Sequence, residues 1–266
     1  MNRIEARFQE LRTAGKKAFI PYITAGDPTL DRTAEFVIAL EQAGADVIEL
    51  GIPFSDPLAD GVVNQEAAMR ALRHNISLRD VIGMVKKVRE QTEVPIVLFT
   101  YFNPVYAYGI ERFGPDCQDA GVDGVLCVDL PPEEAKDYKA CLDAQDIATI
   151  FLLAPTSTEK RIEAVSKQSR GFVYYVSRTG VTGEQAQVER DVGDMVAKIK
   201  SHTDKPVAVG FGISKPEHAT EIARYADGVI VGSAIVRMIG KLGDSPETAT
   251  KVAAFVESLV KAAKQA

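Results

Sequence analysis

The stretch Asp46–Gly61, DVIELGIPFSDPLADG, has the form of a short apolar strand that runs into a polar loop. Its first six residues carry Val, Ile and Leu around one glutamate, and this run is too short for a helix of ordinary length. The loop that follows holds two prolines, two aspartates and a serine, which end the strand. A strand that is apolar on both faces is typical of a parallel sheet covered by helices.

Seven more apolar runs lie along the 266 residues, with stretches of helical period between them. They are Ala18–Thr24, Pro95–Tyr101, Gly124–Asp129, Ala148–Ala154, Phe172–Ser177, Pro206–Gly210 and Gly228–Gly232. Eight such units predict an α/β fold, a closed (β/α)8 TIM barrel, for which about 250 residues is a typical length. An open doubly wound sheet is the alternative on pattern alone.

The two ends of the chain are predicted to be helical. Residues 1–15 have the pattern of an extra N-terminal amphipathic helix with Ile4, Phe8 and Leu11 on one face. Glu247–Ala263 likewise places its apolar side chains on one face. No linker, low-complexity tract or charge run interrupts the chain, so residues 1–266 are predicted to form one barrel domain.

Composition excludes several classes of partner. The net charge is −6, which disfavours nucleic acid, and no apolar run reaches the roughly 20 residues of a membrane span. The N-terminus is too charged for a signal peptide, so we expect a cytoplasmic protein. The three cysteines are odd in number and lack metal-ligand spacing, which predicts buried thiols and no metal site.

Two carboxylates stand out near the second strand. Ile48 and Leu50 suit the helix-covered outside of a barrel, so side-chain alternation points Glu49 to the interior, where burial raises a carboxyl pKa. Asp60 follows in the loop above that strand end, where barrel enzymes place their chemistry, and such a pair can divide acid–base and charge-stabilising work. Structural alternatives stay open: Glu49 bonded to neighbouring strands, and Asp60 as a turn or helix cap, with Asp56 as a competitor.

Glycine-rich loops follow predicted strands six, seven and eight, at residues 180–183 (GVTG), 210–213 (GFGI) and 232–234 (GSA). Glycine lets the backbone approach a ligand closely, and amides at a helix start favour an anion. Phosphate sites after strands seven and eight recur among barrel enzymes. The pattern predicts a small phosphorylated substrate, although turns alone also use glycine. Of Tyr174 and Tyr175 in strand six, one faces inward, and alternation does not choose which.

Taken together, these residues resemble the tryptophan synthase α-subunit family. The stretches are FIPYITAGDP (19–28), DVIELGIPFSDPLADG (46–61), DLPPEE (129–134), VYYVSRTGVTG (173–183), VGFGIS (209–214) and VGSAIV (231–236). The resemblance implies a lyase of tryptophan biosynthesis. Such an enzyme cleaves indole-3-glycerol phosphate to indole and glyceraldehyde 3-phosphate by a retro-aldol reaction, with no cofactor of its own.

The resemblance also implies roles for individual residues. Glu49 would take the substrate hydroxyl proton and protonate indole C3, Asp60 would bind the indole N–H, and Tyr174 would be the active-site tyrosine. The phosphate-binding positions would be Gly183, Phe211, Gly212, Gly232 and Ser233. The indole-pocket positions would be Tyr22, Phe99, Leu126, Val128, Asp129 and Leu152. Arg178 and Thr182 would belong to the closing loop after strand six. The family often has Phe in place of Tyr22 and Leu in place of Phe99, so both would reshape the pocket.

A partner is implied as well. The family's α subunit joins a pyridoxal-phosphate β subunit in an α2β2 complex and passes indole to it, and Pro53, Asp56 and Asn103–Pro104 match regions of that contact. Three alternatives stay open on sequence. They are a different phosphate-binding barrel of the same pathway, a non-catalytic subunit that binds ligand and activates a partner, and a free-standing lyase that releases indole.

Overall fold

The strands form one parallel sheet that closes on itself. The computed structural model describes residues 2–177, 185–210 and 212–266, with only the helical backbone for 185–190. The strands are β1 (Ala18–Thr24), β2 (Ile48–Gly51), β3 (Ile96–Thr100), β4 (Gly124–Cys127), β5 (Ala148–Ile150), β6 (Leu152–Leu153), β7 (Val173–Val176), β8 (Val207–Gly210) and β9 (Gly228–Val231). Their spatial order is β5-β4-β3-β2-β1-β9-β8-β7-β6. Because β5 and β6 are separated only by Phe151, the two ends of this order meet and the predicted eight-stranded barrel is confirmed.

Helices cover the outside of the barrel. They are α1 (Arg3–Thr13), α2 (Leu30–Gln42), α3 (Val62–Leu72), α4 (Leu78–Val88), α5 (Phe102–Tyr108), α6 (Ile110–Ala120), α7 (Lys136–Asp143), α8 (Glu159–Gln168), α9 (Gln185–Lys200), α10 (Pro216–Ala223), α11 (Ser233–Leu242) and α12 (Thr248–Lys264). In the described part of the chain, no helix is both long and apolar enough to cross a membrane.

The fifth barrel strand differs from the prediction, because Ala148–Ala154 is broken in the middle. The Phe151 N–H donates to the Ser169 hydroxyl at 3.3 Å, while its carbonyl accepts the Tyr174 N–H at 3.3 Å. The Phe151 N–H is thus bonded to a side chain instead of to a neighbouring strand. Before this residue β5 pairs with β4, and after it β6 pairs with β7.

The core has two layers that follow strand alternation. Ile48 and Leu50 lie in the layer between strands and helices, with Phe36 of α2 and Val85 of α4. Val47 lies in the separate cluster that fills the barrel interior. Both faces of the strands are therefore buried, which explains their near-continuous apolar sequence.

Helix α1 closes the N-terminal end of the barrel. Its predicted apolar face is confirmed, since Ile4, Phe8 and Leu11 are buried. The Asn2 side chain caps the helix and donates to the backbone carbonyls of Asp123 (2.7 Å) and Asp146 (2.8 Å), just before β4 and β5. These contacts place α1 at the N-terminal ends of the strands, opposite the C-terminal ends at which barrel enzymes have their active sites.

Candidate active site

A cleft of about 190 Å³ opens at the C-terminal ends of the strands. It is lined by Tyr22, Asn64, Phe99, Tyr174, Val176, Ser177, Gly210, Gly212, Ile213, Ile230, Gly232 and Ser233. Larger hollows of about 390 and 380 Å³ flank α1 at the opposite end, where Arg7 pairs with Asp46 and Arg170 pairs with Glu5. Barrel chemistry occurs at the C-terminal end, so the smaller cleft is the candidate site.

Glu49 lies inside the barrel next to this cleft. It is 0% exposed, and neither carboxylate oxygen has a hydrogen-bond partner in the described structure. Nothing therefore bonds it to neighbouring strands, contrary to the structural alternative. Desolvation raises the pKa of Glu49 to about 8, so at neutral pH the group is mainly a neutral acid.

Asp60 is held by hydrogen bonds at the edge of the same mouth. The Tyr101 hydroxyl donates to Oδ2 at 2.8 Å, and the Asn64 side-chain amide lies 3.5 Å from Oδ1. Burial raises the pKa of Asp60, whereas the bond from Tyr101 acts in the opposite direction. The N-cap of α3 is Gly61, with no side-chain capping bond, so Asp60 is not a helix cap. Asp56 is exposed and bonded to Ser55 at 2.7 Å, outside the cleft.

Three aromatic rings form one wall of the cleft. Tyr22 meets Phe99 edge-on at 5.2 Å between ring centroids, and Phe99 lies 6.4 Å from Tyr174. Packing makes the choice that alternation left open: Tyr174 belongs to the interior, whereas Tyr175 lies in the layer under the helices. The Tyr22 ring covers Gly51 so closely that a Cβ there would come within 2.0 Å of its hydroxyl oxygen.

The other predicted indole-pocket residues lie deeper or elsewhere. Leu126 is fully buried in the barrel interior, and Val128 and Leu152 pack against that cluster, outside the lining of the described cleft. Asp129 is exposed, and its Oδ1 accepts the Phe102 N–H at 2.8 Å at the start of α5. The structure thus brings Tyr22 and Phe99 to the cleft, but not Asp129.

Backbone groups line the other end of the cleft. Ser233 begins α11, and the first backbone bonds of that turn come from Ile235 and Val236 to the Gly232 carbonyl. The amides that precede Ile235 therefore have no intrahelical partner and favour an anion. A Cβ on Gly212 would meet no atom within 4 Å, so its backbone borders open space. The predicted residues Gly183, Phe211, Arg178 and Thr182 lie outside the described residues.

The residues that the structure describes contain no group of three His, Cys, Asp or Glu side chains that could hold a metal ion. None of the described lining residues of the cleft is a lysine or an arginine, and the backbone amides and the Ser233 hydroxyl there are groups that can bind an anion.

Comparison with known proteins identifies the family. A family model described as the tryptophan synthase alpha chain matches residues 8–265. The chain belongs to this family. A tryptophan synthase alpha chain of Geobacter sulfurreducens is 50% identical over 259 residues, which cover 97% of this chain and 98% of that one. The corresponding chain of Thioalkalivibrio sulfidiphilus is 52% identical over 253 residues and 95% of each chain.

Solved structures agree with the sequence relatives. A tryptophan synthase subunit alpha from Legionella pneumophila superposes with a TM-score of 0.91 and 37% identity over 98% of both chains. A tryptophan synthase structure from M. tuberculosis gives 0.89 and 33% over 99% of this chain and 100% of that one. The chain therefore catalyses the α reaction, the cleavage of indole-3-glycerol phosphate, and needs no cofactor for it, since pyridoxal phosphate belongs to the family's β subunit.

Two residues of the site were missed by sequence reasoning. Tyr101 and Asn64 both approach the Asp60 carboxylate. Tyr101 shares a face of its strand with Phe99 by two-residue alternation, and it stands just past the strand end. That position could have marked Tyr101 as a residue of the mouth.

Proposed function

We propose that Glu49 and Asp60 divide the chemistry of the α reaction, Glu49 as the group that moves the proton and Asp60 as the fixed negative charge. The observation that carries this proposal is the contrast between their surroundings. Glu49 is buried without a hydrogen bond, with a pKa of about 8, whereas Asp60 accepts a hydrogen bond that opposes the effect of burial. Two carboxyl groups whose surroundings give them different pKa values can take different acid and base roles.

The proton balance suits a neutral Glu49. Cleavage of the bond between indole C3 and the carbinol carbon moves one proton, in net terms, from the side-chain hydroxyl to C3. Glu49 first gives its proton to C3. As the carbon–carbon bond breaks and the aldehyde forms, the resulting carboxylate takes the hydroxyl proton. Glu49 thus ends protonated, as it began, and is ready for the next turnover.

Asp60 supplies the charge that the first step requires. Protonation of C3 makes the indole ring a cation whose N–H becomes a stronger donor. A carboxylate placed beside that N–H is worth most when the positive charge develops, because a fixed charge in a buried site needs no reorganisation. Tyr174, which burial keeps as the neutral phenol by raising its pKa, lines the cleft.

The phosphate group fixes the substrate at the other end of the cleft. We assign it to the backbone at Gly212, Gly232 and Ser233, with Gly183 and Phe211 as the remaining predicted contacts. The free amides at the start of α11 supply donors and a favourable helix dipole. Arg178 and Thr182 are proposed to lie in the loop that closes over substrate and excludes water. Leu126, Val128, Asp129 and Leu152 stay predictions for the indole pocket.

The β subunit is the partner that follows from the family, in an α2β2 complex to which indole is passed. In the segments that hold the predicted contact residues, Leu58 is 91% exposed and Tyr106 is 69% exposed, so both offer apolar surface that a partner could cover. We also propose that residues 1–266 act as a single domain and in the cytoplasm. The closed barrel formed by the described strands supports the first point.

Indole release from indole-3-glycerol phosphate, measured against pH with and without a β subunit, tests the assignment. The proposal expects kcat/KM to fall as pH rises through about 8, because the free enzyme must carry a proton on Glu49. A rise in kcat/KM through that range would instead make Glu49 the initial base. Cleavage that the β subunit does not alter would favour the free-standing lyase, and folded protein without cleavage would refute the function.

A further inference from the structure

Tyr101 holds the loop that carries Asp60 at both of its ends. Its hydroxyl donates to Asp60 Oδ2 at 2.8 Å and accepts the Ala59 N–H at 3.0 Å. Its ring lies 5.2 Å from that of Phe54, at the start of the same loop. Tyr101 itself is only 5% exposed, and both of its hydrogen bonds are partly buried. One side chain therefore fixes both the path of the loop and the orientation of its carboxylate.

The hydrogen bonds divide the two oxygens of Asp60. Tyr101 occupies Oδ2, whereas Oδ1 has only the Asn64 amide at 3.5 Å, the limit of hydrogen-bond distance. Oδ1 is therefore the oxygen left to accept a strong bond from a substrate N–H. Without the tyrosine hydroxyl, the carboxylate could rotate and no oxygen would be preferred.

We propose that Tyr101 is a positioning residue for the α reaction, which fixes the loop of residues 52–61 and presents Oδ1 of Asp60 to the indole N–H. The proposal rests on the proposed role of Asp60. It gives Tyr101 a function through another residue, since its own hydroxyl is already committed to Asp60 and Ala59.

The same contact supports the charge of Asp60. Burial raises the pKa of this carboxyl, and the hydrogen bond from Tyr101 lowers it, with a smaller effect from Asn64. The other titratable groups that face Asp60 are Tyr22 of β1 and Tyr174 of β7, both held neutral by raised pKa values, and Glu49 of β2 faces Tyr22 and Tyr174 in turn. Burial and the Asp60 charge also raise the pKa of Tyr101, so it stays a donor throughout the working range.

The test is the pH dependence of indole release by Tyr101→Phe, which removes one hydroxyl and keeps the ring. Tyr138→Phe is the matched control, because Tyr138 is also buried and its hydroxyl has no hydrogen-bond partner in the described structure. For Tyr101→Phe we expect kcat to fall about 10- to 100-fold with KM within about threefold of wild type. The acidic limb of kcat should move to higher pH, because Asp60 loses the bond that opposes its protonation. Tyr138→Phe should match wild type in all three.

Several outcomes would overturn the role of Tyr101. They are wild-type kcat in Tyr101→Phe, a loss of the same size at every pH, or a rise in KM alone. A second measurement without turnover, the carboxyl NMR titration of Asp60 in wild type and Tyr101→Phe, should show a higher pKa in the variant, and an unchanged pKa would count against the proposal. Asp60→Asn is assayed in parallel. If it stays active, the proposed function of Asp60 fails; if it is inactive while Tyr101→Phe is not impaired, only the inference on Tyr101 fails.

Discussion

Two buried carboxyl groups lie three residues apart in one run of sequence, and the protein surrounds them in opposite ways. Asp46, at the start of the run, accepts bonds from Arg7 at 2.6 Å, Lys264 at 3.0 Å and the Phe19 N–H at 2.8 Å. Glu49, about 10 Å further along the strand, has no partner among the described residues. Both are within 1% of complete burial.

This difference in hydrogen bonding gives Asp46 a role in stability and Glu49 a role in catalysis. A buried charge is retained where it is fully paired, and the partners of Asp46 come from α1 and α12, so the ion pairs tie both ends of the chain to the barrel. A buried carboxyl without partners must instead give up its charge, which makes it a proton carrier at neutral pH. The two ends of one barrel thus use the same functional group for two purposes.

The largest expected effect comes from removing the unpaired carboxyl. Glu49→Gln keeps the shape and the neutral charge of the protonated side chain but cannot exchange the proton, so kcat should fall about 10³-fold or more. Indole release by purified protein measures this, with substrate binding followed separately and expected to persist. Turnover at the wild-type rate would remove Glu49 from the mechanism.

The reciprocal change at Asp46 should damage the fold and spare the chemistry. Asp46→Ala leaves the buried Phe19 N–H without its acceptor, Lys264 without its anion and Arg7 with Glu10 alone, so the free energy of unfolding should fall by about 3 to 4 kcal/mol. Urea unfolding at pH 7 measures the loss. Glu10→Ala is the control, since Glu10 pairs with Arg7 at the surface and should cost under about 1 kcal/mol. A variant as stable as wild type would break the comparison.

A third measurement, again on Glu49→Gln, tests the sign of the Glu49 contribution to stability. In the pH window from about 4.5 to about 8 the folded protein keeps a proton that the unfolded chain has lost, so folding becomes less favourable as pH rises and the penalty is constant above the window. Glu49→Gln has no such penalty. Its stability advantage over wild type should grow across this window to about 3 kcal/mol at pH 7. Unfolding curves at pH 5 and pH 8 that show a constant difference would contradict a raised pKa.

The smallest expected effect concerns a buried hydroxyl that neither region uses. Tyr138→Phe removes a hydroxyl without a hydrogen bond in the described structure and keeps the contacts of the ring with Phe102 and Phe113. We expect a gain in stability of up to about 1 kcal/mol, since no bond is lost with the group. Thermal unfolding measures it, and a clear loss of stability would reveal a partner for that hydroxyl.

Much of the barrel could be predicted, because each of its strands and helices is indicated by the pattern of residues within its own segment. The alternation of short apolar runs with helical stretches reports burial on both faces of each strand, and that is a property of sequence pattern. Side-chain alternation likewise predicted the position of Glu49, because Ile48 and Leu50 face the helices and the residue between them must then face the barrel interior. The break at Phe151 could not be predicted in this way, since it depends on the Ser169 hydroxyl, which is distant in sequence and reaches the strand only in the folded chain.

The site was less accessible to sequence for the same reason. The strand-end position of Tyr101 could mark it as a residue of the mouth, but not as the partner of Asp60, which is 41 residues away in sequence. Alternation could not choose between Tyr174 and Tyr175 because both are large, apolar in part and suited to either layer. Contacts between distant segments decide both cases.

Helix α1 limits the access of solvent to Glu49. Ile4 and Phe8 close the lower end of the barrel, so solvent can approach Glu49 only from the mouth, and a bound substrate covers that route. In the empty site Glu49 exchanges its proton with solvent through the mouth, and a bound substrate stops that exchange until the products leave. The hydrogen that indole receives at C3 is therefore the one that Glu49 drew from solvent before the substrate bound.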